Sequence, residues 1–202
     1  MKHITTFTLF IIALFSLTIS AAPKGEFVQP DNLFPQVKFS TSLGDFIVEL
    51  DRTKAPITVN NFLSYVVNGE YNNTLFHRIE KNYVAQAGGY TDAFEEMTSY
   101  APIFNESGSG YKNNYGTIAM ARASSFNPHT ATRQFFFNLK DNDNLNPGRD
   151  WGYAVFGYIA EGEDILEKLQ EVEVGFHDKT GWPTVPKTPV IIKSITIVDE
   201  EK

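Results

Sequence analysis

Residues 76–89 read FHRIEKNYVAQAGG. In this run one arginine, Arg78, sits among Phe76, Ile79, Tyr83 and Val84, and is followed by an amide, Gln86, and the glycine pair Gly88-Gly89. Arginine is seldom buried without a partner, so in an apolar run it is either clamped or aimed into a cleft; an arginine on the solvent face of a strand is the plainer alternative. Residues 133–138, RQFFFN, set a second amide, Gln134, beside successive phenylalanines, and residues 116–123, GTIAMARA, alternate small and apolar side chains. Apolar walls carrying a few placed donors are what a preformed groove for a small ligand or peptide requires.

Outward from these motifs the pattern is mostly β. Residues 37–41 alternate with period two, a turn falls at Leu43-Gly44-Asp45, and residues 46–50 return, which predicts a hairpin. Pro56 then opens a helix in which Phe62, Tyr65 and Val66 recur at helical spacing, and Gly69 closes it. Short runs at 75–79, 83–86, 117–122, 134–139 and 154–158 lie between Gly, Asn and Pro clusters. A second amphipathic helix fits 163–169, and the β-branched run 190–198 reads as a last strand that pairs with the first ones. There is no internal repeat and no long charge block.

The first residues, MKH followed by an apolar run to Ile19 and then Ser20-Ala21-Ala22-Pro23, have the charged start, apolar middle and small-residue end of a secretory signal over 1–21. A membrane anchor is the alternative, against which stand the Thr and Ser residues in the run and its shortness relative to the ~20 residues that span a bilayer. Residues 22–35, rich in Pro and polar side chains, read as a flexible linker, and 36–199 as one domain. The chain of 202 residues has a formal net charge of −7, which becomes −8 when Lys2 leaves with the leader. Without an excess or a stripe of Lys and Arg, nucleic acid is not an expected partner. Zero cysteines make stability independent of the redox state of an export compartment.

Taken together, FHRIEKNYVAQAGG, GTIAMARA, RQFFF and the GYAVFG of 152–157 resemble, in order and spacing, the successive motifs of the cyclophilin family of peptidyl-prolyl cis-trans isomerases. The likeness runs from about Val37 to Val198 and is strongest to the periplasmic cyclophilins of Gram-negative bacteria. It implies a closed eight-stranded antiparallel β-barrel with two capping α-helices, no cofactor and no metal. It also implies an isomerase for X-Pro bonds in proline-containing polypeptides and unfolded exported proteins; the leader points to the periplasm, with secretion as the alternative address, and without coiled-coil heptads a monomer is the default. Arg78 occupies the family's catalytic position, and Gln86 matches the amide that holds it. Phe136 matches the floor of the proline pocket, with Tyr83, Val84 and Leu145 on its walls and Tyr153 at its rim. Ala121, Arg122 and Gln134 match the segment that binds the residues before proline.

Some positions depart from the family. Tyr153 stands where many members carry a histidine, Asn144 where they have a tryptophan or phenylalanine, Tyr83 where phenylalanine is usual, and Arg133 where a serine is common. The loss of the aromatic at Asn144 implies weak cyclosporin binding, and Tyr83 and Arg133 are candidates for tuning substrate choice. A peptide-binding module or chaperone with little catalysis, and a surface-interaction protein, are the alternative functions on this fold. Other constellations are weak. His77 reads as a packing histidine, since isomerisation transfers no proton, and His129 and His177 as isolated and exposed. Residues 141–144 start like a calcium loop but lack the glycine at position six and the glutamate at position twelve, and read as a solvated turn.

Overall fold

A computed structural model describes residues 25–123 and 126–199; the expected signal, 1–21, and the first residues of the expected linker lie outside the described residues. Strands β1 (Gln36–Thr41) and β2 (Asp45–Leu50) form the expected hairpin, with Phe39 opposite Phe46 and Val37 opposite Val48. Their alternation buries Val37, Phe39, Phe46, Val48 and Leu50 on one face, as a period of two requires. Helix α1 (Pro56–Val67) begins with proline at its first turn, and the cap comes from a distant loop: Glu106 accepts from the amides of Ile57 (3.2 Å) and Thr58 (2.8 Å). At its other end Gly69 takes φ +67°, a left-handed turn that glycine adopts without strain.

The remaining strands are β3 (Thr74–Glu80), β4 (Val84–Thr91), β5 (Thr117–Met120), β6 (Phe135–Asn138), β7 (Val155–Glu161), β8 (Val174–His177), β9 (Trp182–Pro186) and β10 (Ile191–Ile197), with α2 (Asp164–Glu171) between β7 and β8. Eight of them close an antiparallel barrel in the order β1-β10-β3-β4-β6-β5-β7-β2, while β8 and β9 pair separately. Aromatic rings fill its interior: Phe39 stacks on Phe46 at 4.7 Å and meets Phe137 edge-on at 5.6 Å, and Phe62 of α1 meets Phe135 edge-on at 5.6 Å. Ile165, Leu166 and Leu169 of α2 join the same core.

Several expectations are corrected. The stretch read as a flexible linker is, from Gly25 onward, docked on the domain. The Arg52 guanidinium donates to the carbonyls of Gly25, Val28, Gln29 and Asn32 and to Asn60 Oδ1, and Gly25 is packed so closely that a Cβ would lie 1.9 Å from the Asn60 carbonyl. A buried arginine without a carboxylate partner is thus satisfied by backbone dipoles. Arg133 is also buried: it donates to the carbonyls of Gly88 (2.7 Å), Thr98 (2.6 Å) and Glu70, lies 3.7 Å from the Glu70 carboxylate and stacks on Tyr65 and Tyr71, so its side chain braces loops. The turn at 141–144 is not simply solvated, because Asn142 is buried and joins the Tyr83 carbonyl (2.9 Å) to Asn138 (2.8 Å). His129 stacks on Phe104 at 4.4 Å and His177 on Phe94 at 4.2 Å, so neither is isolated.

Candidate active site

Strand alternation divides the RQFFFN run between core and surface. Phe135 and Phe137 join the barrel interior, while Phe136 and Gln134 fall on the opposite face. On β4, which pairs with β6, Ala85 and Ala87 point inward beside the large rings, and Val84 and Gln86 point out beside Phe136, with Gln86 directly across from Phe136. Gly88 must be glycine: φ is +85°, and a Cβ there would lie 2.8 Å from Phe135 and 2.9 Å from Tyr71. An irregularity in β3 between Phe76 and Arg78 sets Arg78 opposite Gln86.

The outcome is an apolar cluster beside a held cation. Phe136, Val84, Leu145, Ala119 and Val155 form a second hydrophobic cluster, separate from the barrel core, with Tyr83, Tyr111, Ala121 and Tyr153 packed against it. Tyr153 meets Phe136 edge-on at 5.5 Å. Arg78, about one-third exposed, donates through Nη1 to Gln86 Oε1 (3.3 Å) and through Nη2 to Glu80 Oε1 (2.6 Å). Gln86 Nε2 in turn donates to Gln134 Oε1 at 2.8 Å. The amide pair separates two recesses. One of about 250 Å³ is lined by Gln86, Gln134, Ala121 and Arg122, and one of about 290 Å³ lies between Arg78, Glu80 and Trp182. Arg122 lies over the Tyr153 ring at 4.7 Å and donates to the Trp151 carbonyl at 2.9 Å.

Of the candidate site residues, Phe136, Val84, Leu145, Tyr83, Ala121 and Tyr153 meet in the apolar cluster, Arg78, Gln86 and Gln134 are linked beside it by hydrogen bonds, and Arg122 lies over Tyr153, whereas the side chain of Arg133 is buried apart from them. Chemically the site offers an apolar cluster built on Phe136, a permanently charged planar donor beside it and amides able to pair with a backbone. Sequence reasoning missed Glu80, whose place two residues from Arg78 on one strand puts both on the same face, a period-two signal that was there to read. It also missed Tyr111 and Trp182, which reach the site only through tertiary contacts. Tyr111 donates to Asp51 Oδ2 at 2.8 Å; burial and that carboxylate push its phenol well above the usual range. The loop bearing Leu145 is held from below by Asn113, whose Nδ2 donates to the Leu145 carbonyl at 3.1 Å. At the rim, Asn144 reaches the Tyr83 hydroxyl at 3.4 Å. His77, next to Arg78, is packed against Tyr90 (4.8 Å) and Trp182 (5.7 Å), and burial lowers its pKa to about 4, so it stays neutral.

Comparison with known proteins agrees with this geometry. The family model described as cyclophilin type peptidyl-prolyl cis-trans isomerase matches residues 36–197. A peptidyl-prolyl cis-trans isomerase of Acinetobacter baylyi is 46% identical over 165 residues, covering 80% of this chain and 84% of the relative. Peptidyl-prolyl cis-trans isomerase B of Escherichia coli is 42% identical over 166 residues, covering 80% and 98%. Among solved structures, a cyclophilin type isomerase of Cryptosporidium parvum superposes with a TM-score of 0.64 at 27% identity, covering 83% of this chain and 99% of that one. The same protein solved in the presence of the dipeptide Ala-Pro gives 0.63 at 28% identity, covering 82% and 99%. By sequence and by barrel topology, the chain belongs to the cyclophilin-type peptidyl-prolyl cis-trans isomerases.

Proposed function

We propose that this chain catalyses cis–trans rotation about X-Pro bonds, with Arg78 as the catalytic residue, and that its substrates are unfolded polypeptides exported with it to the periplasm. The observation that carries the reading is the Arg78 guanidinium, held by Gln86 and Glu80 at the edge of the pocket built from Phe136, Val84, Leu145 and Tyr153. A peptide bond resists rotation by ~20 kcal/mol because the nitrogen lone pair is delocalised into the carbonyl. The pocket fixes the proline ring, and Ala121, Arg122 and Gln134 hold the residues before it, so rotation is confined to the bond between them. Arg78 donates a hydrogen bond to the prolyl nitrogen as it becomes pyramidal, an interaction absent from the planar ground state, and this differential binding lowers the barrier. No covalent step and no proton transfer is needed, which accords with a neutral His77. Export rests on the leader composition of 1–21, and the protein acts as a monomer without a membrane anchor once the leader is cut.

The test is exchange NMR on a short Ala-Pro peptide with the mature protein and an Arg78→Ala variant. Acceleration that drops by about a hundredfold or more in the variant, with retained fold, is the expected result. Binding without acceleration in either protein would assign the groove to a non-catalytic binding module. Fractionation of cells expressing the full chain or one lacking 1–21 tests export, which requires the protein in the periplasmic fraction only when the leader is present.

A further inference from the structure

Three aromatic side chains that the proline pocket does not use lie together beyond its rim. Phe104 and Trp151 are 52% and 45% exposed and lie together. His129 lies between them, stacked on Phe104 at 4.4 Å and 19°, and meeting Trp151 edge-on at 5.1 Å; Phe104 and Trp151 are themselves edge-on at 5.9 Å. Their arrangement is built from beneath. Asn105, 4% exposed, donates its backbone amide to His129 Nδ1 (3.1 Å) and its side-chain amide to the carbonyls of Gly152 (2.9 Å) and Pro128 (3.4 Å), tying the loops that carry the rings into one unit. A buried amide that fixes exposed aromatic rings does nothing to bury them.

This cluster continues the groove. From the pocket floor the contacts run Phe136 to Tyr153 at 5.5 Å, Tyr153 to Arg122 at 4.7 Å, and Arg122 to the Trp151 carbonyl at 2.9 Å, after which the exposed rings follow. A substrate seated in the pocket is an extended chain advancing about 3.3–3.6 Å per residue, so side chains a few positions from its proline come within reach of surfaces beyond the rim. We propose that Phe104, His129 and Trp151 form an outlying docking platform that takes an apolar or aromatic side chain of the same polypeptide whose proline occupies the pocket. The reasoning for this occupant is the continuity of the two surfaces and the chemistry of the rings, which gain from stacking and from loss of exposed apolar area. An unfolded chain presents such side chains throughout, whereas a folded protein hides them, so the platform favours unfolded substrates over exposed prolines of native proteins. The platform adds to the isomerase reading and rests on the groove being the polypeptide site.

The test uses peptides of about ten residues with one proline and a single phenylalanine moved outward, one position at a time, on either side of it; serine replaces the phenylalanine in the controls. Both Kd, by NMR titration, and kcat/KM, by exchange NMR, are measured for the mature protein and for Phe104→Ser and Phe104→Tyr. The expected result is one favoured position where phenylalanine tightens Kd about fivefold over serine. That gain is lost in Phe104→Ser and kept in Phe104→Tyr, while a bare tetrapeptide reacts equally with all three. The Trp151 indole resonance of the unmodified protein shifts with the favoured peptide and not with its serine counterpart, a readout independent of any variant. No favoured position, a gain that survives Phe104→Ser, or a Trp151 resonance indifferent to the phenylalanine would overturn the platform. A protein that shows the Phe104-dependent tightening yet accelerates no peptide would overturn the isomerase reading alone.

Discussion

Glu80 and Arg78 share one face of β3, and their 2.6 Å contact gives the guanidinium a second anchor besides Gln86. Because both side chains are about one-third exposed, the pair is worth more as a positioning device than as a source of stability. Replacement by an aliphatic residue, Glu80→Ile, is expected to lower kcat/KM about fivefold, the upper value of a solvent-screened ion pair, with thermal stability unchanged. Glu80→Gln keeps an acceptor and is expected to retain most of the activity. Equal activity in Glu80→Ile and the parent would show that Gln86 alone sets the arginine. Gly89 poses a different problem. Its Cβ would sit 2.5 Å from Gln134 Nε2, so Gly89→Ala must push that side chain aside and part the Gln86–Gln134 bond. Since the displaced atoms end a flexible side chain, stability should change little while KM rises several-fold, read from steady-state kinetics on a tetrapeptide; an unchanged KM would separate Gln134 from substrate binding.

At the scale of elements, the segment from Gly25 to Pro35 illustrates how composition misleads. Its prolines and polar residues carry no periodic signal, but one residue elsewhere in the chain, Arg52, collects carbonyls of Gly25, Val28, Gln29 and Asn32 and so fastens it to α1 and the barrel. Arg52→Ala should strand those acceptors, cost on the order of 3 kcal/mol in urea unfolding and open a protease-sensitive site between residues 25 and 35. Resistance to cleavage in that variant would mean that Gly25 and its packing on Ser64 are sufficient anchors. The hairpin of β8 and β9 was unreadable for a related reason: its short strands, half-buried at most in β8, pair only with each other, and Trp182 is held by His77, Tyr90 and Phe94 from distant parts of the chain.

For the whole molecule, acid sensitivity should trace to His77. Burial lowers its pKa from 6.5 to about 4, and its Nδ1 is enclosed without a hydrogen-bond partner. The unfolded chain takes up this proton near pH 6.5 and the folded one only near 4, so stability contributed by the neutral ring is complete above 6.5, falls as pH drops through that window, and levels off below 4. The loss is on the order of 3 kcal/mol, and His77→Leu should flatten this part of the pH dependence in urea unfolding measured from pH 7.5 to 4. An unaltered slope would place the acid sensitivity in the carboxylates. Alternation and helical spacing, being local, let the sequence by itself specify β1, β2, both helices and the last strand. Linked motifs likewise marked Arg78, Gln86, Gln134 and Phe136 as neighbours. The closure of the barrel, the burial of Arg52 and Arg133 on backbone carbonyls and the Phe104–His129–Trp151 platform were decided only by tertiary structure. Each of these depends on which distant carbonyl, carboxylate or ring a side chain meets, and no spacing along the chain encodes that.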